Sequence, residues 1–212
     1  MNLQLALDRL TREQCLEILE ETSDTIDWIE VGTGVIKEYG MAIVREIRKA
    51  YPDKTIVADM KTCDAGKHEA EQAFRSGADI TTVMAFSADK TITDMLEVAD
   101  RYGGRVMVDL LGVQDRSKVL HLKELGVDLV SLHFGKDMQQ TGKMGDDAFS
   151  LVDDISGIDC AVAGGINVQS LPMVIEYQPD TIIVGSAITN QENKKEAARQ
   201  IKEVIETNAN NH

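Results

Sequence analysis

The chain has 212 residues, of which 43% are hydrophobic and 27% are charged, and this length predicts one domain with a single sizeable core. A formal net charge of −14 repels polyanions, so nucleic acid is not expected as a partner. No apolar run reaches the roughly 20 residues of a membrane span, and Asp8 comes too early for a signal peptide, so we expect a cytoplasmic protein without a membrane partner. The three widely spaced cysteines predict reduced thiols rather than disulfides or a cysteine zinc site.

Short apolar runs alternate with helical patterns through the first half of the chain. Residues 3–8 predict a strand, and Thr11 with Gln14 predicts a capping box for a helix that runs to about residue 22. The next predicted elements are a strand at 26–32, a helix from about 35 to 51, a strand from 56 that includes Asp59, a helix at 65–76 and a strand at 79–85.

The same alternation continues through the second half. Ser87 is predicted to cap a helix that ends near Gly103 and Gly104. The elements that follow are a strand at 105–110, a helix at 117–126, a strand at 128–133, a helix at 148–155, a strand at 159–165, a helix at 168–177, a strand at 179–186 and a closing helix at 192–206.

Eight strand–helix units without an intervening linker predict an α/β fold of the (β/α)8, or TIM, barrel class, with one domain over residues 1–212. The alternative is an open doubly wound sheet, which needs no eighth unit and usually carries its glycine-rich loop after the first strand. Here the glycine-rich turns follow the seventh and eighth strands, which favours the barrel.

Charged side chains follow most of the predicted strands. In a barrel the carboxyl ends of the strands converge on one mouth, which is where ligands bind. An acid after a strand is more often a helix cap or a solvated turn, but five of the first six strands end in this way, which favours a shared site. The side chains expected at the mouth are Asp8, Glu30, Asp59, Lys61, Asp109 and His133, and we expect Asp8 also to contact the substrate.

The residue types at this mouth suggest a division of roles. Glu30 and Asp59 offer carboxylate oxygens, which suit Mg²⁺ (or Mn²⁺) when the remaining ligands are water and substrate. Lys61 lies between acids in the sequence, so we expect it to stay charged and to stabilise negative charge or donate a proton, rather than to form a Schiff base. His133 has no HxxxH or HxH partner for zinc and is expected to act as a general base near pH 7.

Two glycine motifs follow the last two strands. Gly164 and Gly165 follow the seventh strand, and Gly185 and Ser186 follow the eighth. In TIM barrels these loops commonly bind phosphate through backbone N–H groups. The same glycines would also suit a barrel that serves only as a scaffold.

Together these segments resemble the 3-hexulose-6-phosphate synthase family, within the orotidine 5′-monophosphate decarboxylase superfamily. The Asp-x-Lys-x-x-Asp motif formed by Asp59, Lys61 and Asp64 is the signature of that superfamily. The segments that carry the resemblance span nearly the whole chain and are residues 3–8, 29–33, 58–66, 108–110, 161–166 and 183–188.

The resemblance implies a homodimeric (β/α)8 barrel in which Asp64 acts in the partner subunit's active site and Glu30 with Asp59 holds Mg²⁺. The family reaction joins formaldehyde to D-ribulose 5-phosphate and gives D-arabino-hex-3-ulose 6-phosphate. By this resemblance His133 moves the C1 proton, Lys61 with Mg²⁺ stabilises the enediolate, and the two glycine motifs hold the phosphate.

Two other functions compete with this one. A sister enzyme that decarboxylates 3-keto-L-gulonate 6-phosphate shares the metal and the enediolate chemistry. It resembles this chain less at two positions, because it carries Glu in place of Asp109 and an Arg soon after the histidine, where this chain has Phe134, Gly135 and Lys136. The synthases usually have Thr at the position of Phe134. The third possibility is a non-catalytic barrel that binds a sugar phosphate.

Overall fold

A computed structural model of the protein describes residues 1–138 and 146–209. Within these residues, eight parallel strands close into one barrel, and each strand pairs with its neighbours in chain order. The strands are β1 (Asn2–Leu7), β2 (Trp28–Val31), β3 (Thr55–Thr62), β4 (Ile80–Met84), β5 (Arg105–Asp109), β6 (Leu129–His133), β7 (Asp159–Ala163) and β8 (Thr181–Val184).

Helices connect successive strands, as parallel pairing requires. They are α1 (Arg12–Thr22), α2 (Thr33–Tyr39), α3 (Met41–Ala50), α4 (Gly66–Arg75), α5 (Asp89–Tyr102), α6 (Arg116–Glu124), α7 (Asp146–Phe149), α8 (Leu171–Glu176), α9 (Ser186–Thr189) and α10 (Lys194–Ala209). In the part of the chain that the structure describes, no helix has the length and apolar character needed to cross a bilayer.

The first strand closes the barrel because it pairs along both of its edges. Leu5 of β1 is in register with Ile29 of β2 on one side and with Val184 of β8 on the other. An open sheet would leave β1 and β8 unpaired with each other. The predicted TIM barrel is therefore confirmed, and the open-sheet alternative is excluded.

Two apolar layers follow from the alternation of side chains along each strand. Leu5 and Leu7 pack outward against the helices, whereas Ala6 between them points into the barrel. Because the strands are buried on both faces, they are nearly continuous apolar runs, and burial of each large side chain contributes roughly 1.5–3 kcal/mol. The side chains packed inside the barrel are Ala6, Val57, Ile80, Met107, Leu129, Ala161 and Ile183.

Three local predictions are wrong. The helix predicted from about 35 to 51 is interrupted at Gly40, whose φ of 62° separates α2 from α3. Ser87 does not cap α5, because Ala88 is the N-cap residue and the Ser87 hydroxyl instead donates to the Thr62 carbonyl at 3.1 Å.

The third error concerns the helix predicted at 148–155. The helix in this region, α7, ends at Phe149 and is followed by turns, with Asp154 at a φ of 54°. The Phe149 ring stacks on Tyr177, with ring centroids 3.7 Å apart, so aromatic packing rather than a longer helix orders this segment. The capping box of Thr11 and Gln14 is confirmed. The other predicted elements agree with the structure to within about three residues at their ends.

Candidate active site

The carboxyl ends of the strands surround a cavity of about 890 Å³. Nearly all of the predicted site residues line it. These are Asp8, Glu30, Asp59, Lys61, Asp109, His133, Gly164, Gly165, Gly185 and Ser186. Asp64 is the exception: it is exposed and is not among the described residues that line this cavity.

The charged end of β3 does not follow a regular strand. The pairing of β3 with β4 shifts register between Ala58 and Thr62, and Lys61 has a φ of 47°. A residue other than glycine in this left-handed region carries strain of about 1–3 kcal/mol. In an extended strand, residues two apart such as Asp59 and Lys61 lie on the same side. Both do line the cavity, but they reach it through a bulge rather than through regular strand geometry.

Two threonine hydroxyls hold the Asp59 carboxylate from opposite sides. The Thr33 hydroxyl donates to Asp59 Oδ2 at 2.7 Å and also lies 2.8 Å from the Asp59 carbonyl oxygen. The Thr82 hydroxyl donates to Asp59 Oδ1 at 2.8 Å and accepts from the Lys61 backbone N–H at 2.8 Å. Neither threonine was predicted as a site residue, because a lone threonine in or beside a strand gives no functional signal.

Lys61, Asp109 and His133 form a continuous network. Lys61 Nζ lies 2.6 Å from Asp109 Oδ2 and 3.2 Å from Asp59 Oδ2, and His133 Nδ1 lies 2.9 Å from Asp109 Oδ2. Burial lowers the pKa of Lys61, but the neighbouring carboxylates Asp59 and Asp109 outweigh burial and raise it overall. Lys61 is therefore a cation at neutral pH, which disfavours a Schiff-base role.

Asp109 is the anion at the centre of this network. Burial raises its pKa, but hydrogen bonds and charges from His133 and Lys61 outweigh burial and lower the pKa to about 2. The Leu111 backbone N–H also donates to Asp109 Oδ1 at 2.8 Å. An ionised carboxylate can only accept hydrogen bonds, so Nδ1 of His133 must carry a proton. In a neutral ring Nε2 then has the free lone pair, which is the form that a general base requires.

Asp8 and Glu30 add two carboxyl groups beside Asp59 at the mouth. Burial and the charges of Asp59 and Asp8 raise the pKa of Glu30 well above its ordinary value, and burial and Asp59 raise the pKa of Asp8. Gln4 Nε2 donates to Glu30 Oε2 at 2.5 Å, a contact that the sequence analysis missed. Gln4 Oε1 is buried without a partner among the described residues.

The group formed by Asp8, Glu30 and Asp59 suits a hard divalent cation. The available donors are carboxylate oxygens, and a cation would neutralise the repulsion that raises the pKa of Glu30. Within residues 1–138 and 146–209, no three His, Cys, Asp or Glu side chains form a complete metal site. A cation held by Glu30 and Asp59 would therefore take its other ligands from water and substrate, as Mg²⁺ commonly does.

The glycine motifs present unused backbone donors to the cavity. In the described part of the chain, no hydrogen bond engages the N–H groups of Gly164, Gly165, Gly185 or Ser186. Gly164 has a φ of 119°, and a Cβ there would lie 2.3 Å from the Phe134 carbonyl oxygen, so only glycine fits. These four N–H groups can bind a phosphate by hydrogen bonding.

Phe134 and Lys136 follow β6 at the rim of the cavity. The Phe134 backbone N–H donates to the Ala163 carbonyl at 2.9 Å, and its carbonyl packs against Gly164. Lys136 is exposed and lines the cavity. Phe134 therefore shapes the turn beside the first glycine motif, and Lys136 adds positive charge at the rim.

Comparisons with known proteins agree with this geometry. The model of the family described as "Orotidine 5'-phosphate decarboxylase / HUMPS family" matches residues 1–201. The 3-hexulose-6-phosphate synthase of Bacillus subtilis (strain 168) is 37% identical over 207 residues, which cover 97% of this chain and 99% of that protein.

Solved structures with similar folds include the same kind of enzyme. The crystal structure of 3-hexulose-6-phosphate synthase from Salmonella typhimurium superposes with a TM-score of 0.95 at 35% identity and covers 98% of this chain and 100% of its own. A 3-keto-L-gulonate-6-phosphate decarboxylase from Vibrio cholerae is more distant, with a TM-score of 0.85 at 27% identity and 97% of each chain covered.

Proposed function

The chain belongs to the orotidine 5′-phosphate decarboxylase / HUMPS family, and from this premise we propose that it acts as a 3-hexulose-6-phosphate synthase, an aldehyde-lyase. Its reaction condenses formaldehyde with D-ribulose 5-phosphate to D-arabino-hex-3-ulose 6-phosphate and is reversible. The observation that carries the proposal is the Lys61–Asp109–His133 network at the barrel mouth. It combines a cation with a correctly protonated base, which an enediolate reaction requires.

Each group at the mouth has its own role in the proposed reaction. The N–H groups of the glycine motifs bind the phosphate and fix the sugar in the cavity. Nε2 of His133 takes the proton from C1, and Asp109 stabilises the imidazolium that forms. Lys61 neutralises the negative charge of the enediolate. The enediolate carbon then forms a bond to the formaldehyde carbon, and the resulting alkoxide oxygen takes up the proton that His133 accepted from C1, which returns the imidazole to its neutral form.

Glu30 and Asp59 would hold Mg²⁺, or Mn²⁺ in its place. When bound there, a divalent cation would supply Lewis-acid stabilisation of the negative charge that develops on the sugar. The threonine hydroxyls on Asp59 and the amide of Gln4 on Glu30 fix the direction of both carboxylates, as partners of ligand residues usually do.

A formaldehyde assay tests the proposal. Incubation of the protein with D-ribulose 5-phosphate, formaldehyde and Mg²⁺ should consume formaldehyde, and His133→Ala should reduce the rate by at least about 100-fold. The matched control is His121→Ala, because His121 is an exposed histidine on α6 that pairs with Asp89 and is not among the described residues that line the cavity. It should keep the wild-type rate.

Two other results would contradict the proposal, and each would favour a different function. If formaldehyde persists while 3-keto-L-gulonate 6-phosphate loses CO₂, the chain is the sister decarboxylase. If neither reaction occurs and proton NMR in D₂O detects no solvent exchange at C1 of ribulose 5-phosphate, the result supports a non-catalytic sugar-phosphate-binding barrel.

We further propose that the active protein is a homodimer in which Asp64 reaches the partner's site. Asp64 is exposed and lies outside the cavity of its own chain, although Lys61 of the same motif lies inside. The adjacent β4–α5 loop carries Phe86, which is 67% exposed, and Ser87 ties this loop to the end of β3. An exposed aromatic side chain such as Phe86 is typical of a surface that another protein covers, and Asp64 lies at the same surface.

Mixing two inactive variants tests the shared site. Lys61→Ala and Asp64→Ala should each be inactive as homodimers. After denaturation and refolding together in equal amounts, they should recover about a quarter of wild-type activity, because half of the dimers are mixed and each mixed dimer has one complete site. If the mixture stays as inactive as its components, Asp64 does not act across an interface.

A further inference from the structure

The pairing between β3 and β4 is interrupted beside the charged end of β3. Ala58 and Thr62 lie four residues apart in β3, but they pair with residues only two apart in β4. Asp59 and Lys61 lie in the interrupted stretch, and Thr82 is the β4 residue opposite to it. Regular pairing therefore does not set the direction of these two charged side chains.

The Thr82 hydroxyl replaces the missing pairing. It accepts a hydrogen bond from the Lys61 backbone N–H and donates one to Asp59 Oδ1, both at 2.8 Å. The Lys61 N–H can only donate, so the single hydroxyl proton of Thr82 is left to donate to Asp59 Oδ1. Thr82 is also buried. One hydroxyl therefore links the strained backbone of Lys61 to the carboxylate of Asp59.

We propose that Thr82 is a positioning residue of the active site. It holds Asp59 and Lys61 in the arrangement in which Lys61 Nζ contacts both Asp59 and Asp109. The inference rests on the proposed function, because its consequence is measured as turnover. Loss of the hydroxyl should leave phosphate binding intact, since the glycine motifs lie at the ends of β7 and β8 rather than of β4.

The neighbouring Thr81 provides a matched control. Thr81 is as deeply buried as Thr82, and its hydroxyl also donates to β3, but to the Ala58 carbonyl at 3.3 Å. It does not line the cavity among the described residues. Thr81→Val and Thr82→Val thus remove the same atom from adjacent positions, and only Thr82 contacts Asp59 and Lys61.

The test compares Thr82→Val, Thr82→Ser and Thr81→Val in the formaldehyde assay. Thr82→Val should lower kcat by about 10- to 100-fold, the range typical for partners of ligand and catalytic groups, with KM for ribulose 5-phosphate within about threefold of wild type. Thr82→Ser, which keeps the hydroxyl, should restore kcat, and Thr81→Val should retain it. If Thr82→Val does not fold, Thr82→Ala takes its place.

Three results would overturn the proposal: a wild-type kcat in Thr82→Val, a loss in Thr82→Ser as large as in Thr82→Val, or an equal loss in Thr81→Val. Amide hydrogen exchange followed by NMR separates this proposal from the function itself. The Lys61 amide should exchange faster in Thr82→Val and not in Thr81→Val. If the wild type consumes no formaldehyde, the proposed function fails, whereas unchanged protection of Lys61 would refute the role of Thr82 alone.

Discussion

Asp109→Asn is the sharpest test of the network at the barrel mouth. The Asp109 side chain is only 3% exposed and accepts hydrogen bonds from Lys61, His133 and Leu111. Asparagine has the same shape but only one accepting oxygen. In either orientation its NH₂ group faces at least one donor, so the change leaves a donor unsatisfied.

The structure gives the size of the effect. The fall of the Asp109 pKa from 3.8 to about 2 means that the folded surroundings favour the ionised form by about 2 kcal/mol. An unsatisfied N–H adds about 1 kcal/mol. Asp109→Asn should therefore lower the free energy of unfolding by about 3 kcal/mol at neutral pH. It should also reduce kcat by about 100- to 10,000-fold, because it disturbs the protonation of His133.

The stability difference should depend on pH in one direction. Because the pKa of Asp109 is lower in the folded state, its contribution is complete above pH 3.8 and is lost as the pH falls through about 2. The difference in the free energy of unfolding between wild type and Asp109→Asn should therefore decrease by about 2 kcal/mol as the pH falls through this range. Urea unfolding can follow it through the fluorescence of Trp28, the single tryptophan.

The control makes the same chemical change at a helix cap. Asp115 is exposed, and its side chain accepts from the Ser117 backbone N–H at 2.8 Å at the start of α6. Asparagine caps helices as well as aspartate does, so Asp115→Asn should change stability by less than about 0.5 kcal/mol and keep the wild-type kcat. If Asp109→Asn keeps wild-type stability and turnover, the Lys61–Asp109–His133 network does not have the role proposed for it.

Three further predictions separate substrate binding from stability. Gly185→Ala should fold normally, because its Cβ would lie 3.5 Å from the Ala6 carbonyl oxygen, an ordinary contact. It should raise KM for the sugar phosphate about 10-fold or more, measured by initial rates, because it adds a methyl group beside the proposed phosphate donors. Gly164→Ala, whose Cβ would collide with Phe134, should instead lower the free energy of unfolding by more than about 2 kcal/mol in urea. Arg48→Met should lower the free energy of unfolding by about 2–4 kcal/mol and leave kcat unchanged. Arg48 donates to four backbone carbonyls and pairs with a carboxylate at the opposite end of the barrel, where side chains serve stability.

The pattern of apolar and charged residues in the sequence was sufficient to predict the barrel and most of the residues that line its mouth. Apolar runs separated by helical patterns predict eight units, and only a closed barrel pairs β1 with β8. Glu30, Asp59 and His133 were predicted because charged residues stand out after apolar strands that are buried on both faces. Gly40 interrupts a helix that the hydrophobic periodicity predicted as continuous, since periodicity does not record a positive φ.

Tertiary structure alone decided how the charged groups are held. Thr81 and Thr82 are the same residue type side by side in the sequence. Strand alternation turns Thr82, like Ile80, into the barrel, and the interruption of the β3–β4 pairing leaves the Lys61 N–H and the Asp59 carboxylate for its hydroxyl to bind. The contact of Gln4 with Glu30 likewise joins residues 26 positions apart in the chain. Sequence patterns predicted which charges meet at the mouth, because strand ends converge in a barrel. Their hydrogen-bond partners could not be predicted, because these depend on register between strands, which the sequence pattern does not encode.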